Sequence, residues 1–188
     1  MNRTDGAHVS RGRLAAREIA YVALGVALVS VSAWISVPLG SIPFTLQTLA
    51  VALLGALFGV RRSLAVIAVY ILMGLIGIPV FSGFRAGAAA LLGATGGYIF
   101  GFFFLALVPA LFKLLPVKNK WRRAGMLYGA MALGMAVCYL FGTVWFVLVY
   151  ECSVGYALTL CVLPYLVPDF IKFIVATLLA VRLEKFVK

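Results

Sequence analysis

Pro168-Asp169-Phe170-Ile171-Lys172-Phe173-Ile174-Val175-Ala176-Thr177-Leu178-Leu179-Ala180 sets two opposite charges at the head of an otherwise apolar run. An ionisable side chain inside a membrane segment is expensive and marks a functional site by default. If Pro168 takes the first helical position, which its missing N–H permits, Asp169 falls in the first turn, where the helix dipole favours a carboxylate. Lys172 then follows at i+3 on the same face. An interfacial ion pair that only fixes the depth of the helix is the other reading, and this stretch alone leaves both open.

The surroundings of that stretch make the bilayer the setting. The chain has 188 residues, of which 65% are apolar and 11% charged, and its mean hydropathy is +1.15; soluble domains are only about half apolar. Crossing a hydrocarbon layer ~30 Å thick takes ~20 apolar residues in a helix. Six such runs can be read, at about 17–36, 44–60, 63–80, 96–115, 124–149 and 168–186. Gly155–Leu163 is apolar but short, which suits an interfacial or re-entrant segment. The expected fold is an all-α integral membrane protein, a bundle of six transmembrane helices. It forms one domain over residues 17–188, behind a polar, basic N-terminal tail at 1–16.

The net charge of +11 raises the question of nucleic acid, and the placement of the charges answers it. With six spans, Arg3, Arg11, Arg13, Arg17, Arg61, Arg62, Lys113, Lys118, Lys120, Arg122, Arg123, Arg182, Lys185 and Lys188 fall on one side of the membrane. Only Arg85 and Lys172 fall on the other, beside Glu151 and Asp169. The positive-inside bias then places both termini in the cytoplasm. The basic residues are a topology signal and a handle for anionic lipids.

The same inventory limits the chemistry. His8, the single histidine, lies in the tail, and no His, Cys and acidic residues share a metal-ligand spacing. Cys138, Cys152 and Cys161 are dispersed and odd in number, against a disulfide framework. No Walker A phosphate loop is present, so any ATP hydrolysis must come from another polypeptide. The first apolar run is too long for a cleavable signal peptide and lacks a small-residue cleavage pattern.

The outward connections hold the unusual residues. Pro38 and Pro43 forbid a continuous helix between the first two runs. Thr45 can cap the second helix, which puts Gln47 and Thr48 in its first turn. A bulky amide at Gln47, entering an apolar helix, is not explained by capping. Between the third and fourth runs come Pro79-Val80-Phe81-Ser82-Gly83-Phe84-Arg85-Ala86-Gly87 and then Gly93-Ala94-Thr95-Gly96-Gly97-Tyr98. An apolar, glycine-rich loop on the outer face suits a lid over a cavity; close helix packing is the alternative.

These motifs carry a family resemblance. Thr45-Leu46-Gln47-Thr48 after the paired prolines, Gly77-Ile78-Pro79-Val80-Phe81, Leu91-Leu92-Gly93 with Thr95-Gly96-Gly97-Tyr98, and Pro168-Asp169 with Lys172 occur in one order. Together they resemble the BioY family of biotin-specific substrate-binding subunits of energy-coupling-factor vitamin transporters, over the chain from about residue 17 onward. Phe84, Arg85 and Ala86 interrupt the family's run of glycines, and Ala94 replaces its proline.

The resemblance implies a six-helix bundle with a lid-like loop between helices 3 and 4 and a vitamin held near the outer surface. It implies a multi-pass protein of the bacterial cytoplasmic (plasma) membrane, with no cofactor and no catalytic residues. A cyclic urea offers two N–H donors and one carbonyl, and each needs a partner once desolvated. Asp169 can accept a ureido N–H, Lys172 can donate to an oxygen, and Gln47, Thr95 and Tyr98 can supply further bonds. Phe44, Phe81 and Phe84 are candidates for apolar walls, and Arg85 for the valerate carboxylate. Ala16, Ala20, Ala23 and Ala27 fall on one helical face, which the resemblance implies docks onto a transmembrane coupling subunit driven by two ATPase subunits. Two other readings stay open: a subunit for thiamine or riboflavin, and a membrane enzyme acting on lipid head groups.

Overall fold

The structure is a computed structural model, and it describes residues 3–38, 42–117 and 119–186. Leu39-Gly40-Ser41, Lys118 and Lys188 lie outside the described residues, as do the side chains of Arg3, His8, Arg11 and Arg13. Among the described residues eight α-helices follow one another: α1 Arg3–Trp34, α2 Gln47–Leu57, α3 Val60–Leu75, α4 Ala88–Leu92, α5 Gly96–Phe112, α6 Lys120–Tyr150, α7 Val154–Cys161 and α8 Leu163–Leu183. Helix α1 thus begins within the segment expected to be a tail. Two short strands, β1 Ser36–Val37 and β2 Phe44–Thr45, pair antiparallel between α1 and α2, with Ser36 opposite Thr45 and Val37 opposite Phe44.

Local chemistry sets several of these boundaries. Asn119 caps α6, its side chain accepting from Trp121 N at 2.9 Å and Arg122 N at 3.3 Å. Ser153 caps α7 by accepting from Tyr156 N at 3.3 Å. Thr45 is not the N-cap of α2: Leu46 holds that place, and the Thr45 hydroxyl accepts from Gln47 N at 3.3 Å from one residue further out. Nor does Pro168 open the last helix. Helix α8 starts at Leu163 with Pro164 in its first turn, so Pro168 stands inside it and Asp169 comes in the second turn. The N–H that Pro168 lacks would have paired with the carbonyl of Pro164, four residues back. The dipole of a first turn therefore does not explain Asp169.

Among the described residues, two helices are long and apolar enough to cross a membrane, Leu14–Trp34 and Lys120–Tyr150. A third candidate arises where Val154–Cys161 and Leu163–Phe186 meet at a bend of 43°. Helices Gln47–Leu57 and Gly96–Phe112 are apolar but shorter. The second run ends early because Phe58 and Gly59 leave the helix in extended backbone before α3 begins. Gly77, at φ 100°, and Pro79 close the third run in the same way.

The apolar residues that fail to enter the core cover the outside of the bundle. Leu24, Leu140, Leu148 and Leu178 are each more than half exposed, a surface that suits lipid and not water. The core sits where α2, α5, α6 and α8 converge, with α1 packed on α3 beside it. Small residues set the closest approaches. A Cβ added at Gly55 would lie 2.5 Å from the carbonyl oxygen of Ala106, and one at Gly101 would lie 2.7 Å from Cys138 Sγ. Charged pairs tie helices together away from this core: Arg62 to Glu18, and Arg123 to Glu184.

Candidate binding site

The convergence of α2, α5, α6 and α8 leaves a cavity of about 70 Å³. One end is roofed by Ile42 and Pro43, ahead of β2, and by Phe81 and Ser82 from the loop after α3. Its walls are apolar or aromatic at Ile99, Phe102 and Met135, and polar at Thr45, Gln47, Thr48, Thr95, Tyr98, Tyr139, Tyr165, Asp169 and Lys172.

Asp169 and Lys172 form a buried ion pair at 2.7 Å, 4% and 6% exposed. Burying two charges costs several kcal/mol per ion unless their remaining hydrogen-bonding capacity is met. Here it is met almost completely. The Lys172 ammonium donates to Asp169 Oδ1 at 2.7 Å, to the Thr45 carbonyl at 2.8 Å and to Thr48 Oγ1 at 3.0 Å. Thr48 passes its own proton to Asp169 Oδ1 at 2.9 Å, closing a three-membered ring of hydrogen bonds. Tyr139 donates to Asp169 Oδ2 at 2.5 Å. All three N–H groups of the lysine are taken, whereas the carboxylate, with about four acceptor positions, keeps one on Oδ2. The carboxylate therefore has one acceptor position more than its present partners fill, with the lysine holding it in place.

Gln47 directly precedes Thr48, at the start of α2. Its Nε2 donates to Tyr70 Oη at 2.7 Å, and Tyr70 donates on to the Val80 carbonyl at 3.2 Å. Its Oε1 has a long bond from Thr45 Oγ1, at 3.4 Å, and retains capacity for a ligand N–H. Tyr98 Oη lies 3.4 Å from Thr143 Oγ1.

Of the residues singled out from sequence, Asp169, Lys172, Gln47, Thr95, Tyr98 and Phe81 line one cavity. The other three do not. Phe44 lies beneath the lysine, its ring centroid 4.0 Å from Nζ, a cation–π contact. Phe84 is 62% exposed and stacks on Trp34 with ring centroids 5.2 Å apart. Arg85 points outward and donates through Nε to the Ser82 carbonyl at 3.1 Å. The turn itself explains this. Phe81 N bonds to the Arg85 carbonyl at 3.1 Å, and Gly83 and Phe84 take φ of 67° and 57°, folding the chain back so that its later side chains face away.

Sequence reading missed Thr48, Tyr139, Tyr165 and Ser82. Thr48 stood in a quoted motif without a role. Cys138 and Tyr139 follow Met135 by three and four residues on one helical face, a stripe hidden because α6 is apolar on all sides beyond its first turn. Tyr139, Met135 and Asp169 also line a separate hollow against Phe170 and Phe173, between α6 and α8. The Tyr165 hydroxyl bonds to the Ile42 carbonyl, fastening α8 to the segment before β2. Ala20, Ala23 and Ala27 are exposed along α1, as is Ala16. Among the described residues no cluster could hold a metal ion, and the three cysteines are free thiols.

Comparison with known proteins gives a consistent result. The chain matches the model of the BioY family over residues 3–188. It is 39% identical to the "Probable biotin transporter BioY" of Pyrococcus horikoshii, across 90% of this chain and 97% of that one. It is 38% identical to the "Biotin transporter BioY" of Thermotoga maritima, across 90% and 96%. Among solved structures, the S-component for biotin from an ECF-type ABC transporter superposes with a TM-score of 0.79. That match covers 98% of this chain and 95% of the other at 22% identity, so the likeness is one of fold.

Proposed function

The chain belongs to the BioY family, and on that premise we propose that it captures biotin as the substrate-specificity subunit of an energy-coupling-factor vitamin transporter. It is a membrane protein whose work is binding and delivery, not catalysis. The observation that carries the reading is the pairing of one unfilled acceptor position on Asp169 with an otherwise closed polar ring, on the wall of a cavity that also offers Phe81, Ile99, Phe102 and Met135. A cyclic urea has donors for such an acceptor and an apolar bicycle for such walls.

Asp169 Oδ2 accepts one ureido N–H, and Gln47 Oε1 is placed to take the other. Lys172 positions Asp169; to meet the ureido oxygen directly it must exchange one of its three present partners. Phe81 and Phe102 flank the bicycle, with Thr95 and Tyr98 completing the polar set. The segment from Pro79 to Gly87 serves as the lid, and six membrane-embedded segments place both termini in the cytoplasm of a bacterial cell. The exposed alanines of α1 dock the subunit on a membrane coupling partner, which two ATPase subunits drive.

Equilibrium binding of labelled biotin to the detergent-purified protein tests the reading, with thiamine and riboflavin as competitors. Saturable binding displaced by unlabelled biotin and by neither other vitamin is expected. Folded protein that binds no biotin, or yields it to thiamine or riboflavin, would overturn it.

A further inference from the structure

Among the described residues, Ser82 Oγ is the one buried side-chain oxygen with no hydrogen-bond partner. Ser82 is 7% exposed and lines the cavity. A hydroxyl left unpaired in a dry site is costly, and native proteins keep few of them without a reason. The groups around it are already paired. The Val80 carbonyl accepts from Tyr70, Phe81 N bonds to the Arg85 carbonyl, and the Ser82 carbonyl accepts from Arg85 Nε. The turn is thus closed on itself, with one donor left facing the cavity.

We propose that Ser82 is the anchor for the anionic tail of the ligand, donating its hydroxyl proton to a carboxylate oxygen at the loop side of the cavity. This rests on the biotin reading and adds a role for a residue that reading does not use. Two features select the tail over the ring. In the proposed pose the ring's N–H groups go to Asp169 and Gln47 and its oxygen to Lys172, all on α2 and α8. Ser82 belongs instead to the turn packed against α1. Arg85 holds its guanidinium against the carbonyl of Ser82, and residues 81–87 include no acidic side chain, so the one formal charge on this turn is positive. Arg85 thereby favours a carboxylate from outside the cavity, without entering it.

The variant Ser82→Ala separates this from a structural role. It removes only the unpaired oxygen and leaves the backbone bonds of the turn intact. Without ligand its melting temperature should equal or exceed that of the unaltered protein, since an unsatisfied group has been deleted. Its affinity for biotin should fall about tenfold or more, the scale of a hydrogen bond to a charged group. Its affinity for biotin amide, whose tail is uncharged, should change by less than about threefold. Unchanged biotin affinity would overturn the assignment, as would equal losses for biotin and biotin amide, which would place the hydroxyl at the ring. A lowered melting temperature without ligand would overturn it in favour of a structural serine. Absence of biotin binding by the unaltered, folded protein is distinct from these, since it removes the proposed function and this assignment together.

Discussion

Replacing Asp169 by Asn keeps the shape of the side chain and removes its charge, stranding the Lys172 ammonium, which is only 6% exposed. Breaking a buried ion pair from one side costs about 3–5 kcal/mol, because the surviving charge is uncompensated. Lys172 retains the Thr45 carbonyl at 2.8 Å and Thr48 Oγ1 at 3.0 Å, two neutral acceptors that soften the loss. The lower end of that range, about 3 kcal/mol, is therefore expected, or roughly a hundredfold in the folding equilibrium. Adding Lys172→Met removes the stranded charge while keeping a flexible stem of similar volume. Paired removal of a buried ion pair is often close to neutral, so the double variant should recover to within about 1.5 kcal/mol of the starting protein. Reversible unfolding in mixed micelles measures both steps, and labelled-biotin binding is followed on the same samples. Neither variant should bind biotin tightly. A double variant as unstable as the single one would refute the account of Lys172 as a charge held by Asp169. A double variant that still bound biotin tightly would refute the placement of the ligand against this pair.

Three further outcomes test other parts of the structure. Tyr70→Phe removes the hydroxyl that bridges the Gln47 amide and the Val80 carbonyl; it should cost about 1–3 kcal/mol of stability and weaken biotin binding, and unchanged values for both would remove that relay from the site. Gly55→Val forces a side chain into the 2.5 Å approach to the Ala106 carbonyl; about 1–3 kcal/mol of overpacking is expected in the same unfolding assay, and a neutral result would mean that α2 and α5 can separate freely. Ala20→Trp with Ala23→Trp, on the exposed face of α1, should block co-purification with the coupling and ATPase subunits while biotin binding by the isolated subunit survives, and intact complexes would move the docking surface elsewhere.

Parts of this molecule were legible from the chain alone because they violate its composition. Asp169 and Lys172 stand out in an apolar run, and the structure places them in one cavity with Gln47, which stands out for the same reason. Tyr139 and Tyr165 were not legible. A tyrosine in a membrane helix resembles its aromatic neighbours until the structure shows what its hydroxyl meets. Arg85 misled in the opposite sense, since its charge pointed to a ligand while the turn at Gly83 and Phe84 faces it outward. Helix boundaries were the weakest part of the reading. Pro168 looked like a helix start because proline favours that position, yet Pro164 satisfied the same preference one turn earlier. For the second and third runs hydropathy also gave stretches longer than the helices they contain, because glycine and extended backbone end a helix without lowering apolarity.

The ring of Tyr139 has the binding cavity on one side and the hollow between α6 and α8 on the other. Met135 and Asp169 border both spaces with it, and the Tyr139 hydroxyl steadies the aspartate by donating to Oδ2. A hydrocarbon tail lodged in that hollow would press on the same side chains that a ligand in the proposed site would meet from within. On the proposed site, the choice of detergent or lipid would then be a variable of affinity in its own right.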